Sequence, residues 1–179
     1  MRTMSRFATV VGMVAVAWAA GGCTPGPFNV KVFVDEADAG LRDEQTKTLK
    51  SIQVDLIGVN PSEYEQWEQM SVSEYWEPTN PIRQSAYQYV MKFGDIEPTE
   101  QVLSAENKIW NRWIKENQAE HLFVFANLQG IEDKPGDADP RRVILPLARG
   151  KWDMSAWGNI DIPIKLRAAG LVPLRQPKK

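Results

Sequence analysis

Three features of this 179-residue sequence could carry chemistry: a lone cysteine, a lone histidine and a crowded acidic loop. Cys23 stands in Ala19-Ala20-Gly21-Gly22-Cys23-Thr24-Pro25 and has no second cysteine to pair with. A disulfide within the chain is therefore excluded, and an odd thiol needs another explanation. It is either an inert buried thiol or a point of covalent attachment, and its setting of glycines and prolines is unlike a core. His121 opens the apolar run Leu122 to Leu128. A zinc site wants three or four ligands, and no G-x-S-x-G nucleophile motif surrounds this histidine. The expectation is a structural histidine in a chain that is not an enzyme.

Glu132, Asp133, Asp137 and Asp139 crowd the segment GIEDKPGDADPRR. Calcium requires six to eight oxygens in a defined order. With Lys134, Arg141 and Arg142 close by, the segment reads as a solvated hairpin loop with local charge compensation. No metal and no cofactor is expected. Beyond residue 23 lie Trp67, Trp76, Trp110, Trp113, Trp152 and Trp157. Trp110 and Trp113 have the spacing of one helical face and read as core. Trp152 and Trp157 lie in a segment without period and are candidates for an exposed contact, such as stacking on a glycan or on peptidoglycan.

The setting of Cys23 favours export. Arg2 and Arg6 precede Phe7 to Ala20, fourteen residues without a charge, and small residues follow. That order matches the basic, apolar and cleavage regions of a secretory signal. The run falls short of the about 20 apolar residues that span a bilayer. AGGC resembles the lipobox of bacterial lipoproteins, with Ala20 where that family usually has leucine. The resemblance implies a signal over residues 1–22, cleavage between Gly22 and Cys23, acylation of Cys23, and a short tether over 23–28. Thr24, which is not aspartate, implies by the same resemblance the outer membrane, with the domain facing the periplasm.

Without residues 1–22 the chain keeps 19 basic and 23 acidic side chains, a formal charge of −4. That balance argues against nucleic acid, which needs a basic footprint, and against holding an anionic membrane by charge alone. Residues 29–175 are enough for one domain with a real core.

Period-two alternation marks strands at Val30–Val34, Ile52–Leu56, Tyr87–Phe93 and Ile160–Leu166. Leu122–Leu128 is apolar on both faces and suits a central strand. Val143–Leu147 and Leu171–Leu174 complete about seven strands. Pro163 lacks an N–H, so its strand is expected at a sheet edge. Helical insertions are expected near 61–77 and 104–118. The first has Asn60-Pro61-Ser62-Glu63 and then Ser71 with Glu74 as caps. The second is capped by Ser104 and buries Ile109, Trp110, Trp113 and Ile114. Since βαβ runs are absent, an antiparallel β-sandwich with one or two helical insertions is expected. Asp35 to Lys50 is the least apolar stretch, with Leu41 and Leu49 as its only strong anchors. It is either a solvated connector or a protruding recognition loop.

The order of parts then carries a second resemblance. A lipobox, a first strand FNVKVFVD, a polar loop, SIQVDLIGV, a helical insertion, and late strands LFVFANL, RRVILPL and IDIPIKL look like the type VI secretion outer-membrane lipoproteins, the TssJ-like family. That resemblance implies a transthyretin-like β-sandwich and a structural role. The partner it implies is the periplasmic domain of an inner-membrane secretion subunit. The contact falls in the loop between the first two strands, here Arg42, Asp43 and Glu44.

Overall fold

The computed structural model describes residues 24–153 and 158–178; the leader, Cys23 and Trp157 lie outside the described residues. Eight strands occur among those residues: β1 Asn29–Val34, β2 Ile52–Val59, β3 Gln88–Phe93, β4 Glu100–Leu103, β5 His121–Ala126, β6 Arg142–Pro146, β7 Asp161–Arg167 and β8 Gly170–Pro173. They form two four-stranded sheets, ordered β4-β1-β7-β8 and β3-β2-β5-β6. The protein is a β-sandwich, mainly antiparallel as expected. One pairing departs from that expectation: β1 and β7 run parallel, from Asn29 opposite Asp161 to Val34 opposite Leu166. The connection between them passes through the whole second sheet, so no βαβ unit is needed to make it.

The alternation read from sequence sorts the side chains. Val30, Val32 and Val34 of β1 and Ile162, Ile164 and Leu166 of β7 point inward. They meet Val54, Leu56, Met91, Phe93, Leu122 and Val124 of the facing sheet. β5 is apolar on both faces because both are covered. Its other face, Phe123 and Phe125, joins Ile57 and Val59 in a second core beneath the helices.

Those helices are α1 Tyr64–Gln69, α2 Val72–Trp76 and α3 Pro81–Ser85. Ser71 caps α2 by accepting from the Glu74 N–H at 3.1 Å, as its sequence spacing requires. Asn60 accepts from the Glu63 N–H at 2.9 Å, but it closes a turn, and the helix starts later, at Tyr64. Trp67, Met70, Val72 and Tyr75 face the second core. In the later insertion a π-helical segment, Asn111–Glu116, replaces the long helix expected from Ser104. Ser104 and Asn107 instead hold turns by accepting from the Glu106 and Ile109 N–H groups. Trp110 and Trp113 are buried and meet edge to face at 5.1 Å, closing one end of the sandwich.

Two expectations are corrected. Pro163 is not on an edge strand, because β7 lies between β1 and β8. Its carbonyl accepts from the Leu174 N–H at 2.9 Å, beyond the last residue of β8, so the missing donor costs one bond at the frayed end of that ladder. Trp152 is not an exposed contact either. It is 2% exposed, packs 6.0 Å from Phe28, and donates Nε1–H to the Pro146 carbonyl at 2.9 Å. A ring held this way cannot stack on a sugar.

Candidate functional site

β1 carries the chain from Thr24 at one end of the sandwich to the β1–β2 loop at the other. At that distal end lie also the β3–β4, β5–β6 and β7–β8 connections. The β1–β2 loop is a miniature hairpin rather than a loose connector. Arg42 and Leu49 form an antiparallel bridge. Asp43 donates its N–H to Thr48 at 2.9 Å, and Lys50 donates to Leu41 at 2.9 Å. Leu41 and Leu49 are buried and staple the hairpin to the main core, as their types suggested. Its base is fixed by Asp38, whose Oδ2 accepts from the Ala168 N–H of the β7–β8 turn at 2.9 Å. Arg167 lies 3.3 Å from Asp35 and 3.7 Å from Asp38.

The three candidate residues divide by role. Arg42 turns back and donates Nη1–H to the Lys47 carbonyl at 3.1 Å, bracing the hairpin. Asp43 accepts at one oxygen from the Gln45 N–H (2.9 Å), the Thr46 N–H (2.8 Å) and the Thr46 hydroxyl (3.1 Å). Lys47 takes a positive φ of 59° to close the turn. Glu44, Gln45 and Thr46 are left exposed at the tip. The tip is thus a preformed shape, and little ordering entropy would be lost on binding.

The Thr46 and Gln45 backbone N–H bonds, followed by the Thr46 hydroxyl, hold the Asp43 carboxyl below its ordinary value of 3.8. A depressed acid favours the ordered turn above the unfolded pKa and ceases to do so as pH falls through the folded one. An amide titration of Thr46 should therefore show its midpoint below 3.8. A midpoint at or above 3.8 would show that the turn does not depend on these bonds.

The β5–β6 connection corrects part of a further expectation. Glu132 to Pro135 and Asp137 are exposed and the charges pair locally as expected, but the C-terminal end of the loop is sealed. Asp139 is fully buried, and Arg141 and Arg142 are 4% and 3% exposed. Arg141 binds Asp139 through Nε at 3.0 Å and Nη2 at 2.7 Å, and also binds Asp133. Burial pushes the Asp139 carboxyl up, but hydrogen bonds from Arg141 and from the Lys134 N–H outweigh it, and the net shift is downward. Arg142 donates to the Trp67 and Met70 carbonyls at 3.1 and 2.9 Å, capping α1, and to Gly136. Of the four carboxylates weighed as calcium ligands, Asp133 and Asp139 are engaged by Arg141, and Asp133 also accepts from the Ser73 N–H of α2 at 3.0 Å, while Glu132 and Asp137 stay exposed.

His121 faces the Tyr64 ring at 4.6 Å, and burial holds its imidazole below the usual 6.5. The polar centre the sequence did not announce is Asp55. It is fully buried under the helices and accepts from Tyr75 Oη–H at 2.7 Å, Gln53 Nε2–H at 2.7 Å, and Arg83 Nε–H and Nη2–H at 3.1 Å. Arg83 also lies 4.6 Å from the Trp76 ring. The signal was present as a lone acid inside the apolar run IQVDLIGV, but alternation placed it on a wet face.

No family model matches the chain, and no curated protein matches it. Solved structures do. One is a chain of a structure described as "Type VI membrane complex", 12% identical, with a TM-score of 0.55 over 84% of this chain and 99% of that one. Another is described as the T6SS protein TssM C-terminal domain (869-1107) from EAEC, 11% identical, with a TM-score of 0.50 over 82% of this chain and 99% of that one. A third is Serratia marcescens Lip, a membrane-bound component of the type VI secretion system. It is 15% identical, with a TM-score of 0.48 over 86% of this chain and 99% of that one. The likeness at these identities is one of fold: this protein has a β-sandwich similar to that of a chain in the type VI membrane complex.

Proposed function

We propose that the protein is a lipid-anchored, non-enzymatic structural subunit of a type VI-like membrane complex. Cys23 carries the lipid after cleavage at Gly22 and holds the domain on the periplasmic side of the outer membrane. The distal β1–β2 hairpin engages the periplasmic domain of an inner-membrane subunit. The observation that carries this reading is the fold shared with a chain of a type VI membrane complex over 84% of the protein. The AGGC sequence and the opposed placement of Thr24 and the hairpin support it.

The exposed tip makes the test sharp. Arg42→Glu would disturb the hairpin's own brace as well as its charge. Glu44→Arg changes an exposed charge with no internal bond to lose. Charge reversal at an interface acts mainly on encounter and orientation. A Glu44→Arg protein should fold normally and capture the partner's periplasmic domain about tenfold more weakly in a pull-down titration at low salt, the equivalent of about 1.4 kcal/mol. Unchanged capture by both Glu44→Arg and Arg42→Glu would remove the hairpin from the interface. Intact-mass measurement of the exported chain should find an acylated Cys23 and no leader.

A further inference from the structure

The segment expected to be a tether is part of the fold. Gly26 donates its N–H to the Leu147 carbonyl at 3.0 Å, and the Arg149 N–H donates to Thr24 at 3.3 Å. Pro25 and Ala148 form an antiparallel bridge, so residues 24–26 lie as a short extra strand beyond the end of β6. Asn29 then donates to Ile160 at 2.9 Å. Phe28 is fully buried, with the Trp110 ring at 5.2 Å and the Trp152 ring at 6.0 Å. From Thr24 onward the chain has no freedom to swing.

We infer that the face around Thr24 rests directly on phospholipid headgroups and fixes the orientation of the domain on the bilayer. This rests on the reading that Cys23 is acylated. One residue of extended chain reaches about 3.5 Å. A lipid on Cys23 is therefore separated from a fixed point of the fold by less than the thickness of a headgroup layer. Side chains next to Thr24 have to meet that layer.

Of the side chains found there, the exposed Lys151 and Lys178 have the matching charge, while the Arg149 guanidinium is held by the Gly158 carbonyl at 3.1 Å. Arg149 is bonded to Thr24 through its backbone. Lys151 is exposed, and its carbonyl accepts from the Lys178 N–H at 2.7 Å, which brings Lys178 to the same face. Asp153 pairs with Lys178 at 2.6 Å, and the exposed Glu120 and Asp161 lie at the same end. The chain as a whole is acidic, so these cations count locally. The fitting surface is a bilayer containing anionic phospholipid. β1 then runs away from that surface for about 20 Å and delivers the hairpin to the far end. The anchor becomes a mount with a direction.

The test uses the full, exported chain in vesicles of phosphatidylethanolamine and phosphatidylglycerol. A fluorophore on Gln45→Cys reports energy transfer to acceptors in the headgroups; the acyl group on Cys23 leaves that label site-specific. The expected result is one narrow distance distribution. A Gly/Ser linker of about twelve residues inserted between Cys23 and Thr24 should broaden it strongly. Lys151→Gln with Lys178→Gln should shift population away from the apposed state, about fivefold for each lysine at low salt. A native distribution as broad as that of the linker variant overturns the inference while leaving the lipid-anchored reading intact. A narrow distribution indifferent to both lysines overturns the headgroup contact. A Cys23 mass without acyl chains removes the reading beneath it and the inference together.

Discussion

Arg83→Met should destabilise the protein by about 3 kcal/mol, read as a lower urea midpoint at unchanged slope. Asp55 is fully buried, and Arg83 is the one cation bonded to it among the described residues. Methionine keeps a long apolar side chain but takes away the charge that lies over the Trp76 and Tyr75 rings. The carboxylate then stays buried with only the neutral donors Tyr75 and Gln53. Breaking a buried pair from one side costs about 3–5 kcal/mol. The lower end applies because the Arg83 side chain is 23% exposed and partly screened. Burial, then the Asp55 charge, raise the Tyr75 hydroxyl well above its ordinary 10.0, so it remains a donor throughout the working pH range. Asp55→Leu combined with Arg83→Met and Tyr75→Phe should recover most of the loss, since the pair and the buried hydroxyl that donates to it are then gone together. An Arg83→Met protein within 1 kcal/mol of the parent, the scale typical of an exposed pair, would mean that water reaches Asp55.

Gly58→Ala should cost about 2–3 kcal/mol, although glycine-to-alanine changes at compatible sites usually stabilise. The backbone at Gly58 has no positive φ, so the obstacle is steric. A Cβ there would lie 2.4 Å from Trp113 Cγ and 2.5 Å from its Cβ. Trp113 cannot retreat. It is 1% exposed, its Nε1–H donates to the Tyr87 carbonyl at 2.7 Å, and Trp110 abuts it. The unfolded-state gain from replacing glycine, about 0.4–1 kcal/mol, is outweighed. The decisive measurement is a double-mutant cycle. In a Trp113→Leu background, itself destabilised, the additional cost of Gly58→Ala should fall by at least about 1 kcal/mol. Additive losses would place the strain elsewhere.

Both predictions concern the seams between layers, where the local sequence is least informative. Trp113 lies on Gly58 across a gap of 55 positions, and Arg83 reaches Asp55 across 28. The helical cap is joined to the sheet by such pairs and by Arg142, and the distal end inherits its rigidity from Arg141 and Asp139 of the same connection.

Period two in Val30-Val32-Val34 and Ile160-Ile162-Ile164-Leu166 could be read directly, because one apolar face needs no knowledge of what covers it. The same holds for the cap at Ser71 and Glu74 and for the paired faces of Trp110 and Trp113, which are set within a single turn. β4 was missed: Glu100-Gln101-Val102-Leu103 is four residues with one buried position, too short for a period. Arg42, Asp43 and Glu44 were placed correctly between two strands, but their division into brace, turn-holder and free tip depends on bonds to Lys47, Gln45 and Thr46 in the folded hairpin. Alternation also misassigned Asp55, since a polar residue on the second face reads as wet unless a helix from elsewhere covers it. Arg141 and Arg142 read as part of a solvated loop and Trp152 as an exposed contact in a segment without period, because the groups that cover them lie elsewhere in the chain. Local pattern was enough to say which residues turn toward a core and where the chain must bend. Which second faces are sealed, that Pro163 lies inside a sheet, and that residues 24–26 are bonded to the body emerge only on folding, because each depends on a partner distant in the chain.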